Sequence, residues 1–337
     1  MSININIDEN VLLVGEKVIT LFLILFAGLA ARKLNIIDWA VTKKLSAFLI
    51  NITMPLLIIT SFQLDFDSEI LKNGLMIFVV SAVLHIFISA AAYFLYKPVK
   101  NSGHKKIYEM STVFGNCLFL GYPVLKVVFG DEIGVFYGVF YGMFFNLYLW
   151  TYGLYLITRK NKKEKNSENS EESKESGKFK IPTSKIFFNI GIISSVTGII
   201  IFISGIKIPG VIYGSAKLVG DMTFPLSMVI IGSLISEIKL KEMFLNFRNY
   251  YFVFIKLIFL PVFVALVCYV LKLPVLLIYI GTLMTAMPSA ANVAIFAETY
   301  GADSKAAAIN AGLTTLVSIG TIPVIMYLLD NILKLKL

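Results

Sequence analysis

Ten long apolar segments follow one another along this chain, and they constrain its fold more than any other feature. Crossing the hydrocarbon of a bilayer takes about 20 apolar residues in a helix. The hydrophobic fraction is 57% and the charged fraction 15%, against about 45–50% and about 25% in soluble domains. The sequence therefore predicts an all-α polytopic membrane protein, with segments at approximately 11–31, 43–63, 72–96, 107–129, 132–158, 186–206, 214–236, 249–271, 275–299 and 306–331.

The polar stretch from Arg159 to Lys185 divides the segments into two sets of five. It is rich in Lys, Glu, Ser and Asn and low in apolar residues, a composition typical of disorder. We predict three parts of the chain: residues 1–158, residues 159–185 as a disordered cytoplasmic loop, and residues 186–337.

The basic residues orient the segments in the membrane. With the N-terminus outside, 21 of the 30 Lys and Arg residues fall in inside loops and 7 in outside segments. Cytoplasmic loops carry the excess of Lys and Arg, so both termini are predicted to be extracytoplasmic, in a cell membrane. The net charge of +9 has its explanation in this topology, and nucleic acid is not an expected partner.

Five segments per half mean that the second half enters the membrane from the opposite face, so any repeat is inverted. A pattern supports such a repeat: Asn51–Leu56 and Asp221–Leu226 share [ND]-x-T-x-P-L at an offset of 170 residues. Gly130 and Gly301 recur at an offset of 171. The sequence therefore predicts two inverted five-helix repeats.

Two apolar segments contain helix breakers at corresponding places in the two halves. Pro288 interrupts segment nine and Pro123 ends a Gly- and Asn-containing stretch of segment four. Proline has no amide donor and disrupts a helix interior, and broken spans in both halves indicate a transporter binding site. Since proline favours the first turn of a helix, we predict that Pro123 and Pro288 start the second half-helices.

Two helix starts that meet would create positive potential suited to an anion such as a carboxylate. Asn116 and Asn292, beside the breaks, would donate directional hydrogen bonds to it. The alternative is a simple proline kink in which an asparagine bonds a freed carbonyl.

Asp221 is the acidic residue near the middle of a predicted span, and such carboxylates are functional candidates by default. It could couple transport to a proton or another ion, or it could cap a helix near Thr223 and Pro225. We find no phosphate loop, metal cluster or nucleophile with acid and base partners, so neither an enzyme nor a cofactor or metal site is predicted.

Several stretches resemble the auxin efflux carrier family, which includes plant PIN-formed auxin exporters and bacterial permeases associated with malate or malonate. They are GNCLFLGYPV in segment four, AMPSAANVAIFAETYGAD in segment nine, ARKLNIID before segment two and SMVIIGSLIS in segment seven. Asn146 lies four residues before Trp150, where the plant proteins have Gln before Trp.

The resemblance implies crossed broken helices 4 and 9 in ten transmembrane helices, an architecture similar to sodium/proton antiporters and bile-acid transporters. Helices 1, 2, 6 and 7 would form a scaffold and the others a transport domain that moves as an elevator. The implied substrate region comprises Asn116, Pro123, Asn146, Pro288 and Asn292.

The expected function is secondary transport of organic anions, such as malate, malonate or auxin-like acids. A cation/proton exchanger of the same fold is the alternative, and a non-transporting receptor or a channel is a third reading. The expected partners are the small anion, the lipid bilayer and a second copy of the chain in a homodimer.

Overall fold

The computed structural model describes residues 7–99, 101–159, 190–236 and 247–334, which form helices joined by short turns. The predicted loop lies, apart from Arg159, outside the described residues. The helices are α1 (Ile7–Lys33), α2 (Trp39–Ser61), α3 (Ser68–Leu95), α4 (Ser102–Val113), α5 (Cys117–Phe129), α6 (Glu132–Thr158), α7 (Ile190–Ser204), α8 (Gly210–Ile235), α9 (Phe247–Val270), α10 (Val275–Ala286), α11 (Asn292–Thr299) and α12 (Ser304–Lys334).

The predicted apolar segments fall on these helices. Segments four and nine each fall on a pair of shorter helices, α4 with α5 and α10 with α11, and the others each fall on one helix. Within the described residues, six helices are long and apolar enough to cross a membrane: α2, α3, α6, α8, α9 and α12. The all-α membrane fold is thus confirmed, while the count of ten crossing helices stays a prediction.

Three helices pass a proline through a widened turn rather than ending at it. The π-helical turns Leu49–Thr53, Cys117–Gly121 and Ile255–Phe259 come immediately before the segments that carry Pro55, Pro123 and Pro261 near their first residue. Proline removes one amide donor and pushes away the carbonyl four residues earlier. A π-helical turn shifts the hydrogen-bonding register by one residue, so the chain stays helical through the proline.

The helices pack into two groups. In one group, α1 packs along α8 and α2 packs against α7 and α8. Glycines allow this: a Cβ at Gly28 would lie 2.3 Å from the Val229 carbonyl oxygen, and one at Gly232 would lie 2.0 Å from the Leu25 carbonyl oxygen. The second group contains α3–α6 and α9–α12, in which α3 packs on α6, and α9 on α10. The two breaks lie within the second group.

Candidate site at the crossing of two broken helices

The two breaks meet and satisfy each other's backbone groups. The first break joins α4 to α5 at Phe114–Asn116, and the second joins α10 to α11 at residues 287–291. The Asn116 amide donates to the Pro288 carbonyl at 2.6 Å, and the Ala290 amide donates to the Phe114 carbonyl at 3.0 Å. Gly115 and Ser289 form an antiparallel bridge between these bonds. Non-helical backbone at membrane depth requires such protein partners.

The structure corrects both predicted helix starts. Helix α5 begins at Cys117, and Pro123 lies inside it, just after the π-helical turn. Helix α11 begins at Asn292, and Pro288 lies in the extended break before it. In the first half, the wider π-helical turn accommodates Pro123. In the second half, Pro288 lies in extended backbone, which suits the fixed φ of proline. The predictions that Pro123 and Pro288 start the half-helices are therefore wrong.

Side chains from neighbouring helices also hold the second break. The Ser289 amide donates to Thr314 Oγ1 at 3.0 Å, and Ser289 Oγ donates to the Ser111 carbonyl at 2.7 Å. Asn310 Nδ2 donates to Ser111 Oγ at 3.3 Å. Sequence reasoning missed these residues, because single Ser and Thr residues are common in membrane helices and none stands out by spacing.

The asparagines beside the breaks line the same small cavity. Its volume is about 10 Å3 in this conformer, and its lining is Gly115, Asn116, Cys117, Leu118, Phe119, Phe145, Ala290, Ala291 and Asn292. The wall is mostly apolar side chain and helix-start backbone, so the two amides are its polar side chains. A small ligand that accepts hydrogen bonds would meet both of them.

Asn116 is oriented by the helix that it precedes. Its Oδ1 accepts a hydrogen bond from the Phe119 amide at 3.3 Å, which makes it the N-cap of α5. With the oxygen held by the helix, the amide nitrogen carries the two N–H donors that remain for a ligand. Asn292 is the first residue of α11 and is partly exposed. Both amides are therefore held at helix starts, where the macrodipole is positive.

Asn146 lies on α6, one residue from the cavity wall. Its Nδ2 donates to the Gly142 carbonyl of the same helix at 3.0 Å, and the neighbouring Phe145 lines the cavity instead. Trp150 packs on Phe296 of α11 with ring centroids 5.0 Å apart. Asn146 is thus brought near the site but not into its wall.

Asp221 forms an ion pair away from the cavity. Its Oδ1 lies 2.9 Å from Nζ of Lys126 on α5, and the two side chains are 36% and 20% exposed. The segment Thr223–Ile235 begins without a side-chain cap, so the predicted capping role is wrong. Asn51, at the matching sequence position, is exposed and donates to the Ala47 carbonyl of its own helix.

A buried lysine behind the breaks was not recognised from the sequence. Lys256 of α9 is 1% exposed, and its Nζ donates to the Thr112 carbonyl at 2.9 Å and the Thr285 carbonyl at 3.2 Å. Its place deep in an apolar span was the available signal, since an ionisable residue there is a functional candidate.

A second, larger cavity opens beside α4, α9 and α12. Its volume is about 160 Å3, and it is lined by His104, Tyr108, Asn249, Asp303, Lys305, Ala306, Ile309 and Asn310. His104 Nε2 lies 3.2 Å from Asp303 Oδ2 at its rim. Asn310 connects this cavity to the second break through its bond with Ser111.

Comparison with known protein families relates the chain to one of them. A family whose description is "membrane transport protein" matches residues 13–326, a range that contains both breaks and every residue of the cavity. No curated protein matches the chain significantly.

Proposed function

This chain belongs to the auxin efflux carrier family of membrane transport proteins, and on that premise we propose that it carries small organic anions across the cell membrane. The substrate class is carboxylates such as malate, malonate or auxin-like acids. The family is one of transporters and not of enzymes.

The observation that carries the proposal is the cavity at the crossing. Two interrupted spans, one in each half, meet by backbone hydrogen bonds and leave a space that both Asn116 and Asn292 line. Broken helices that cross in this way form the binding sites of many secondary transporters.

The chemistry of the wall favours an anion. An asparagine amide offers two N–H donors, and helix starts add a partial positive charge. The starts of α5 and α11, at Cys117 and near Asn292, both belong to the wall. A carboxylate accepts hydrogen bonds at two oxygens, so it matches two amides that approach from different helices.

The packing supports an elevator mechanism. Helices α1, α2, α7 and α8 form one group, which would be the scaffold, and the cavity lies wholly in the other group. Among the described residues, two ion pairs cross between the groups, Lys126 with Asp221 and Lys217 with Glu132 at 2.6 Å, and Ser227 Oγ of α8 donates to the Phe119 carbonyl at 3.0 Å. A moving group that carries its whole binding site would exchange these contacts together with the packing of α1 on α12 and of α2 on α6.

Two observations support the division into inverted repeats of residues 1–158 and 186–337. Helix α1 packs on α8, and α7 packs on α2, which is the exchange of partners that two intertwined halves would show. Gly130 and Gly301, recurring at the same offset, both have positive φ, 96° and 68°. The proposed orientation, with both termini outside the cell, rests on the distribution of Lys and Arg.

The test is countertransport in proteoliposomes. Vesicles loaded with unlabelled dicarboxylate should accumulate labelled malate or malonate against its gradient, because a carrier exchanges substrate and a channel or receptor does not. Asn116→Ala and Asn292→Ala should weaken this exchange. Asn51→Ala is the matched control. Asn51 Nδ2 donates to the Ala47 carbonyl of its own helix at 2.8 Å, and Asn51 is not part of the cavity wall.

Two outcomes would contradict the proposal. Dissipation of the gradient without exchange would indicate a channel. Cation-driven proton movement that needs no organic anion would instead favour the exchanger.

A further inference from the structure

The crossing contains two helix ends that lack their normal partners. Thr112 and Thr285 lie in the last turns of α4 and α10, where carbonyl groups lose their intrahelical donors. The amides four residues later are engaged elsewhere: Asn116 donates to Pro288, and Ser289 donates to Thr314. Two carbonyl oxygens at the negative ends of two half-helices therefore need another donor.

Lys256 supplies that donor to both carbonyls. Its ammonium lies 2.9 Å from the Thr112 oxygen and 3.2 Å from the Thr285 oxygen. Among the described residues, no ion pair involves Lys256. A helix C-terminus carries about half a negative charge, so two of them together balance about one ammonium group.

Resting on the proposed transport function, we propose that Lys256 is the resident cation of the crossing. Unwound carbonyls and half-helix C-terminal ends are the groups that coordinate a coupling cation in transporters with broken helices. Here the ammonium of the chain itself occupies that position. The fold of the crossing and the binding of the anion then need no Na⁺ or K⁺.

The same charge lies next to the anion cavity. A Cβ added to Gly115 would be 3.3 Å from Lys256 Nζ, and Gly115 lines the cavity. The ammonium is thus separated from the cavity by one backbone segment, in surroundings of low dielectric where charges act strongly. Lys256 therefore supplies positive potential to a bound anion without touching it, which makes it a positioning residue.

The basic residue at the corresponding offset has a different role. His85 precedes Lys256 by 171 residues, the offset that also separates Gly130 and Gly301. Its Nδ1 lies 2.7 Å from the Ser81 carbonyl of its own helix, and aromatic rings surround it. Among the described residues, the cation at the crossing thus comes from the second half.

The test compares thermal unfolding of the purified protein in Na⁺, K⁺ and choline chloride at equal ionic strength. The wild-type Tm should be the same in all three salts. Lys256→Met should lower Tm, and Na⁺ or K⁺ should restore part of the loss where choline does not, because a cation that binds only the folded state stabilises it. Lys207→Met, at an exposed lysine paired with Asp65, should show no such cation effect.

A second variant separates charge from hydrogen bonding. Lys256→Gln keeps donors for the carbonyls but removes the charge, so its Tm should also rise with Na⁺ or K⁺. If both variants fail to fold, the wild-type series still decides, since a Tm specific for one cation would overturn the proposal. Unchanged Tm in Lys256→Met, with no cation effect, would also overturn it.

These readouts are independent of anion transport. A protein that exchanges anions only in the presence of Na⁺ would refute the role of Lys256 and leave the proposed function intact. A protein that folds independently of Na⁺ and K⁺ but exchanges no anion would support the role of Lys256 and refute the proposed function.

Discussion

The Lys126–Asp221 pair provides a quantitative test of the elevator mechanism. Lys126 belongs to α5 in the group that contains the cavity, and Asp221 belongs to α8 in the group proposed as the scaffold. If the two groups move against each other, this contact holds the conformer seen here and breaks in the other. Removing it should change the balance between the two conformers.

The magnitude follows from distance and exposure. Opposite charges near 4 Å attract by about 4 kcal/mol at the effective dielectric of a protein surface. The pair is closer, at 2.9 Å, but Asp221 is 36% exposed and Lys126 20%, and the cost of desolvating both charges offsets part of the gain. We therefore expect about 1 kcal/mol, the upper end measured for exposed pairs, which corresponds to a shift of about fivefold in conformer populations.

The assay is anion exchange in proteoliposomes at one fixed pH. Asp221→Asn removes the negative charge of the pair while keeping the size of the side chain, so it should change the exchange rate by about fivefold. Asn51 stands at the matching position, which suggests that the amide fits this motif.

A double-mutant cycle identifies the pair as the cause. Lys126→Met should have the same effect as Asp221→Asn, and the double variant should add little. Asp65→Asn is the control, because Lys207 and Asp65 form a 2.8 Å pair within the scaffold group. Equal exchange rates in wild type and Asp221→Asn would refute a role of this pair in the balance between conformers, and additive effects would refute the pairing.

Three further predictions concern the cavity and the packing. Asn116→Ala and Asn292→Ala should each weaken anion affinity about tenfold to a hundredfold in a binding assay, since a hydrogen bond to a charged group contributes about 1.5–3 kcal/mol. Unchanged affinity in both variants would show that these asparagines do not belong to the binding site. Gly301→Ala should lower the free energy of unfolding by about 1 kcal/mol, because the backbone φ of 68° is unfavourable for a residue with a Cβ. Gly210→Ala is the control, because both positions have room for a Cβ but Gly210 has no positive φ. Equal Tm values for the two variants would contradict the strain argument. Gly232→Ala should push α1 away from α8, because the added Cβ would lie 2.0 Å from the Leu25 carbonyl oxygen. The yield of monodisperse protein in size-exclusion chromatography should therefore fall. A yield equal to that of the wild type would show that the two helices can move apart at little cost.

The sequence by itself determined the fold class and the location of the breaks. A membrane span is specified by the length of an apolar segment, which is a local property, so the helices fall on the predicted segments. Proline acts on its own helix turn, so the interruptions near Gly115 and Pro288 could also be expected.

The tertiary structure decided where each helix resumes. Pro123 is accommodated by a π-helical turn inside α5, whereas Pro288 lies in extended backbone before α11. The difference depends on the partners of the freed backbone groups, since the second break is held by Ser111 and Thr314 from other helices. Such partners are far away in sequence and leave no local pattern.

The roles of the charged residues were also decided by the tertiary structure. Asp221 and Lys256 both lie in predicted apolar spans, but the first pairs with Lys126 of another helix and the second bonds two helix ends in the interior. A charge at membrane depth must find a partner, and the sequence shows that need. Only the packing of distant helices determines which partner is within reach.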